Sequence, residues 1–285
     1  MQFRKTTVAS CLLLLFLTLA PICPIAGAKE EKLKPEELIA KHLDSIGSAE
    51  KRSAVQSRAT AGSAQVVFRV GGSGTMNGRG SIVSQSKSVR ADLIFQALEY
   101  PGERIAFDGS KVTAGQISPG NYPPFSRFLY ENNFLLKEGL LFGSLSTSWA
   151  LLDVAGRKPK LESNGLKKIN GRQLYELKYT SRSPGSMQAW LYFDPETFRH
   201  VLSQFKLEVP TTNVTKITDS AEMVRYQIIE QFDQFKEVDG LTLPHSYKVD
   251  FTIDAPRGGL LTSWTHVIES IKHNETIEPR SFSIQ

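Results

Sequence analysis

Cysteine is nearly absent from this chain of 285 residues. Cys11 and Cys23 are its only two, and both fall within the first 28 positions. From residue 29 onward there is no thiol, which excludes a disulfide scaffold, a cysteine nucleophile and any cysteine-bound metal. Dense blocks of lysine or arginine are also missing, so the footprint of a nucleic-acid-binding surface is absent. After the N-terminal segment no apolar run approaches the roughly 20 residues of a membrane-spanning helix. The sequence has no H-E-x-x-H and no G-x-S-x-G. Its five histidines (His42, His200, His245, His266 and His273) never pair at i+2, i+3 or i+4. Such histidines read as surface or hydrogen-bonded groups and not as ligands, because a metal site needs three or four that converge. Asp108, Asp194 and Asp239 each stand in a turn, where a carboxylate caps backbone amides, so a pair of catalytic carboxylates is not indicated. No cofactor is implied.

What the N-terminus does contain is the pattern of an exported protein. Arg4 and Lys5 precede an apolar run from Cys11 to Leu19, followed by Pro21, Pro24 and Ala26-Gly27-Ala28. This reads as a cleavable signal peptide over residues 1–28 and leaves one domain over 29–285. Cys11 opens the apolar run instead of following it and Cys23 lacks the small residues expected before it, so a lipid anchor is disfavoured. Residues 1–28 hold two basic and no acidic residues, so their removal lowers the net charge from +5 to +3. The expected address is the periplasm.

The mature chain opens with a helical period. Pro35, Glu36 and Glu37 suit a first turn, Leu38, Ile39, Leu43 and Ile46 share one face, and Gly47 interrupts. From Thr60 the period becomes two. Alternating runs are separated by turn residues such as Asp108-Gly109, Asn170-Gly171, Asp194-Pro195, Asp239-Gly240 and Gly258-Gly259. Roughly ten to twelve strands follow from alternation and turn signals. One reading takes Met223–Phe235 and Leu243–Ile253 as a hairpin turned by Asp239-Gly240. The expected fold class is mainly β with helices (α+β): one large antiparallel sheet curled into an unclosed half-barrel, with an N-terminal helix and a central helical lid over about 122–155. That central stretch is apolar for a connection between strands, so it must cover something apolar or be covered itself. Pattern alone leaves open whether it fills the concavity or closes a cavity for a ligand.

Three segments resemble the bacterial outer-membrane lipoprotein-sorting family, the LolA-like carriers. They are Glu36–Gly47 behind the signal, Trp190-Leu191-Tyr192-Phe193-Asp194-Pro195-Glu196-Thr197, and Phe232–Pro244, joined by a closing Ile277-Glu278-Pro279. The resemblance implies a half-barrel holding lipid or lipoprotein acyl chains under a helical lid, in a non-enzymatic monomeric carrier. Its partners would be that lipid, transient membrane contact and an inner- or outer-membrane protein. The alternative on the same fold is a protein-interaction or stress-sensing module of the cell envelope. Residues expected to line the cavity and lid are Leu93, Phe95, Phe107, Phe128, Phe134, Leu141, Tyr175, Leu177, Trp190, Tyr247 and Phe251. Arg69, on an early strand, is the nearest candidate by position for the family's functional arginine.

Overall fold

The computed structural model describes residues 32–182, 187–210 and 222–285, all within one unit, Lys32–Gln285. The proposed signal peptide lies outside the described residues. Helix α1 (Pro35–Ile46) is followed by the short α2 (Ala49–Ser53), and the break falls at Gly47. One face of α1, carrying Leu38, Ile39, His42 and Ile46, is buried.

The strands run in chain order as β1 (Ser57–Val70), β2 (Gly74–Gln85), β3 (Ser88–Phe95), β4 (Gly102–Phe107) and β5 (Val112–Ala114). After a long insert come β6 (Lys160–Ile169), β7 (Arg172–Thr180), β8 (Gln188–Phe193), β9 (His200–Pro210) and β10 (Met223–Asp233). The chain ends with β11 (Lys236–Val238), β12 (Leu241–Leu243), β13 (Ser246–Ala255) and β14 (Gly258–His273). Twelve of them form one sheet in the order β5-β4-β3-β2-β1-β14-β13-β10-β9-β8-β7-β6, and every pairing is antiparallel. The two ends of that order, β5 and β6, are not paired with each other, so the sheet is open. This is the expected unclosed half-barrel of the α+β class.

Hydrophobic alternation sets which face is inward. On β3, Val89, Ala91, Leu93 and Phe95 are buried while their neighbours are less so. Asn170 and Gly171 both take positive φ, 49° and 84°, the conformation a type I′ hairpin requires between β6 and β7. The end of the chain differs from the simple hairpin expected there. β10 stops at Asp233, and the chain leaves the sheet as a two-stranded ribbon, β11–β12, turned by Asp239 and Gly240. Only β13 then returns to pair with β10. The ribbon has its own small apolar cluster, Leu241 and Leu243 against Ile46 of α1, which accounts for its departure from the main sheet.

Candidate functional site

The insert between β5 and β6 joins the two opposite edges of the sheet, so it has to cross the hollow. It does so as α3 (Pro124–Glu131), α4 (Phe134–Lys137), 3-10 turns at Gly143–Leu145 and Ala150–Asp153, and α5 (Val154–Arg157). Its large side chains point inward. Phe125, Phe128, Leu135, Leu140, Leu145 and Trp149 are all buried in the main core. Helix α3 touches both wings: it packs on β4 and β5, while Phe125 meets Phe251 and Trp264, and Phe128 meets Tyr226 and Phe251. Beside Phe125 and Phe142 lies a cavity of about 20 Å³, room for one water. The question left open by pattern is answered for this conformation: the insert fills the half-barrel.

Polar side chains of the sheet and of α1 hold the insert in place. Glu103, at the start of β4, accepts hydrogen bonds from the Ser126 amide (2.7 Å) and hydroxyl (2.6 Å) in the first turn of α3, and from Tyr100 Oη (3.0 Å). A carboxylate suits that helix end, yet burial outweighs the hydrogen bonds and raises its pKa. Glu230 of β10 accepts from the Phe142 amide and from Tyr247 Oη, both at 2.8 Å. Its other oxygen has no hydrogen-bond partner among the described residues. Burial pushes its pKa up to about 7. The amide it holds belongs to a phenylalanine at φ 70°, a left-handed conformation that costs a bulky residue about 1–3 kcal/mol.

Two residues beyond Phe142, the Ser144 carbonyl accepts from Arg58 Nη1, and Arg58 Nε donates to His273 Nε2 (3.0 Å). Ser84 Oγ accepts the Thr147 amide at 2.9 Å. His42 of α1 accepts from Trp149 Nε1 at 3.2 Å. Because indole can only donate, the imidazole proton sits on Nδ1 and goes to the Phe198 carbonyl, also at 3.2 Å. Burial lowers the His42 pKa to about 4. His200 stacks on Trp149 with ring centroids 4.8 Å apart, and burial and then its neighbour His42 hold it well below the usual range. Ser203 Oγ lies 3.1 Å from His200 Nε2, the spacing of a nucleophile and its base, but both are sealed beneath Trp149, Phe193 and Phe232.

Of the residues expected at the cavity, Leu93, Phe95, Phe107, Phe128, Leu141, Leu177, Tyr247 and Phe251 are buried together in the main core, with Phe134 and Tyr175 packed against it. Two lie elsewhere. Trp190 sits on the outer face with Leu174, Tyr192 and Leu202, while its neighbours Ala189, Leu191 and Phe193 face inward. Arg69 is exposed, its Nε 3.3 Å from Ser263 Oγ. Among the described residues the buried arginine is Arg58, in phase with Thr60, Ala64 and Val66. Glu230 is likewise in phase with Ile228 and Phe232. A charge on the apolar parity of a strand was the available signal for both.

The insert's own folding depends on Gly139, which has φ 65° and whose added Cβ would lie 2.0 Å from the carbonyl oxygen of Ser148, also in the insert. Gly139→Ala is expected to cost about 3 kcal/mol, from left-handed strain and overpacking together. Gly171→Ala, at φ 84° with open surroundings, should cost about 1 kcal/mol. Urea unfolding of the two variants measures the difference, and equal losses would show that the Ser148 contact does not constrain the insert.

No protein-family model and no curated protein matches this sequence. Several solved structures do match. A LolA superfamily protein from Nitrosomonas europaea is 12% identical over 88% of this chain and 98% of its own, with a TM-score of 0.46. A DUF1329 family protein from Desulfovibrio piger is 12% identical over 88% and 98%, with a TM-score of 0.45. A domain from Vibrio parahaemolyticus described as outer-membrane lipoprotein-sorting is 12% identical over 87% and 97%, with a TM-score of 0.44. No residue role is carried over from them.

Proposed function

We propose that this chain is a non-enzymatic periplasmic protein that binds lipid or lipoprotein acyl chains in its half-barrel, with the insert as the resident occupant that gives way to a guest. The observation that carries this reading is the insert itself: an apolar segment filling an open half-barrel and fastened by discrete hydrogen bonds at Glu103, Glu230, Arg58, Ser84 and His42. When the insert withdraws, water can take over those polar bonds, but only an apolar guest can replace its buried side chains. A sixteen-carbon chain supplies roughly 12 kcal/mol of gross burial at about 0.8 kcal/mol per CH₂, enough to compete with a docked segment. The export pattern of residues 1–28 supports the compartment. No helix among the described residues is long and apolar enough to cross a membrane.

A cysteine-free mature chain allows a direct test. Ser84→Cys with Thr147→Cys places two thiols where a side chain and an amide already meet at 2.9 Å. The reduced protein is expected to take up fluorescent palmitate, the oxidised protein to lose that uptake, and dithiothreitol to restore it. Equal uptake by both forms would sink the reading. A second reading, a protein-interaction or stress-sensing module, draws on Trp190, half-buried over the buried Leu174, Tyr192 and Leu202, with Lys206 Nζ 5.6 Å from its ring centroid. Capture of a protein partner that is lost in Trp190→Ala, with no lipid bound, would favour it.

A further inference from the structure

The pocket between α1, α2 and the 3-10 turns of the insert points to a second binding site. We infer that it takes a short-chain anionic amphiphile, a carboxylate or phosphate head on an apolar tail. It has a volume of about 340 Å³ and shares no lining residue with the small cavity inside the half-barrel. The inference therefore does not rest on the proposed function.

The walls are of two kinds. Leu43, Ile46, Val55, Leu152 and Leu241 make an apolar side, and Arg58 supplies a cation. Arg58 is 5% exposed. Its Nη1 and Nε hydrogen bonds go to a carbonyl and to an imidazole nitrogen, and Nη2 has no partner among the described residues. No carboxylate lies within ion-pair distance of it among those residues. The nearest acid in its network is Asp239, which accepts from His273 Nδ1 at 2.8 Å on the far side of the imidazole and is itself mostly exposed. Arg52, which also lines the pocket, is already occupied by the Leu43 and Gly47 carbonyls, with the exposed Asp44 at 3.7 Å. A guanidinium so deeply buried is costly unless an anion compensates it. Here that anion can enter from solvent, since Leu152 at the rim is 41% exposed. The apolar side selects an anion that carries a tail over a bare ion.

The test uses the chain from residue 29 onward with decanoate, decyl phosphate and decan-1-ol in calorimetric titrations. At least one anionic probe is expected to bind tenfold or more tightly than the alcohol, and the tighter of the two identifies the head group. Leu152→Asp puts a like charge at the rim on an exposed position, so it should weaken the anionic probes at least tenfold with the melting temperature unchanged. Palmitate uptake by the half-barrel should stay intact in that variant, which separates failure here from failure of the carrier reading. Decan-1-ol binding as tightly as both anions at a site that palmitate does not block, or decanoate binding at such a site that persists in Leu152→Asp, overturns the inference.

Discussion

Glu230→Ala is expected to cost about 4 kcal/mol of folding stability at pH 5 and far less at pH 8. Two buried donors, the Phe142 amide and Tyr247 Oη, lose their common acceptor, at about 2 kcal/mol each. The pH dependence comes from the wild type. With its pKa raised by burial from the ordinary 4.5 to about 7, Glu230 keeps its proton in the folded state where the unfolded chain has already lost it. Its contribution is complete below pH 4.5 and drains away as pH rises through 7, a change of about 3 kcal/mol. Glu230→Gln keeps an acceptor and never ionises, so it should match the wild type near pH 4.5 and exceed it at pH 8. Urea unfolding at several pH values decides the matter, and parallel wild-type and glutamine profiles would refute it. His42 works in the opposite sense. Its pKa is lowered to about 4, so its contribution is present above 6.5 and is lost as pH falls through 4. The two nearly cancel between about pH 4.5 and 6.5, and the glutamine variant should expose the histidine's rise. Glu103 and His200, shifted in the same respective directions, add to each side.

The second large effect is expected at Trp149, a fully buried indole at the centre of the insert's contacts with α1 and β9. Trp149→Ala should cost about 3–5 kcal/mol from lost burial and the cavity left behind. It also removes the donor to His42 Nε2 and the ring against His200. With water admitted to that space, the desolvation that holds His42 near 4 weakens, and its pKa should climb toward 6.5. Urea unfolding reads the first effect and an NMR titration of the imidazole reads the second. A His42 that still titrates near 4 in the variant would mean that Trp149 does not seal it.

Much of the architecture was legible because a strand advertises its inward face by alternation, and a type I′ turn by residues such as Asn170-Gly171 that tolerate positive φ. Helix α1 was legible from the spacing of Leu38, Ile39, Leu43 and Ile46. The pairing of β1 with β14 was not, because the partners Arg58 and His273 stand 215 positions apart and leave no local trace in each other's sequence. The outward placement of Trp190 could not be read either. β8 is apolar on both faces, and only the assembled sheet, in which Trp190 pairs with Gln204 and clusters with Tyr192 and Leu202, shows which side it takes. The insert's role as filler depended on volumes that a one-dimensional pattern does not contain. The buried charges were legible in principle, since Arg58 and Glu230 keep step with apolar neighbours, and Arg69, one step out of phase with Val66 and Phe68, could have been assigned to the outer face on the same ground.

The sheet order carries a consequence for how the molecule assembles in time. Strands β1 to β5 form by successive hairpins, and so do β6 to β10, so each wing can zip from neighbours in sequence with little loop closure. The β1–β14 seam joins the first strand to the last and must wait until nearly the whole chain has emerged and its far end has found its near one. The wings are therefore the early-forming parts and the seam the late one. Until the seam closes, the apolar inner faces of both wings stand open to solvent, and this is the interval in which the protein is most exposed to aggregation.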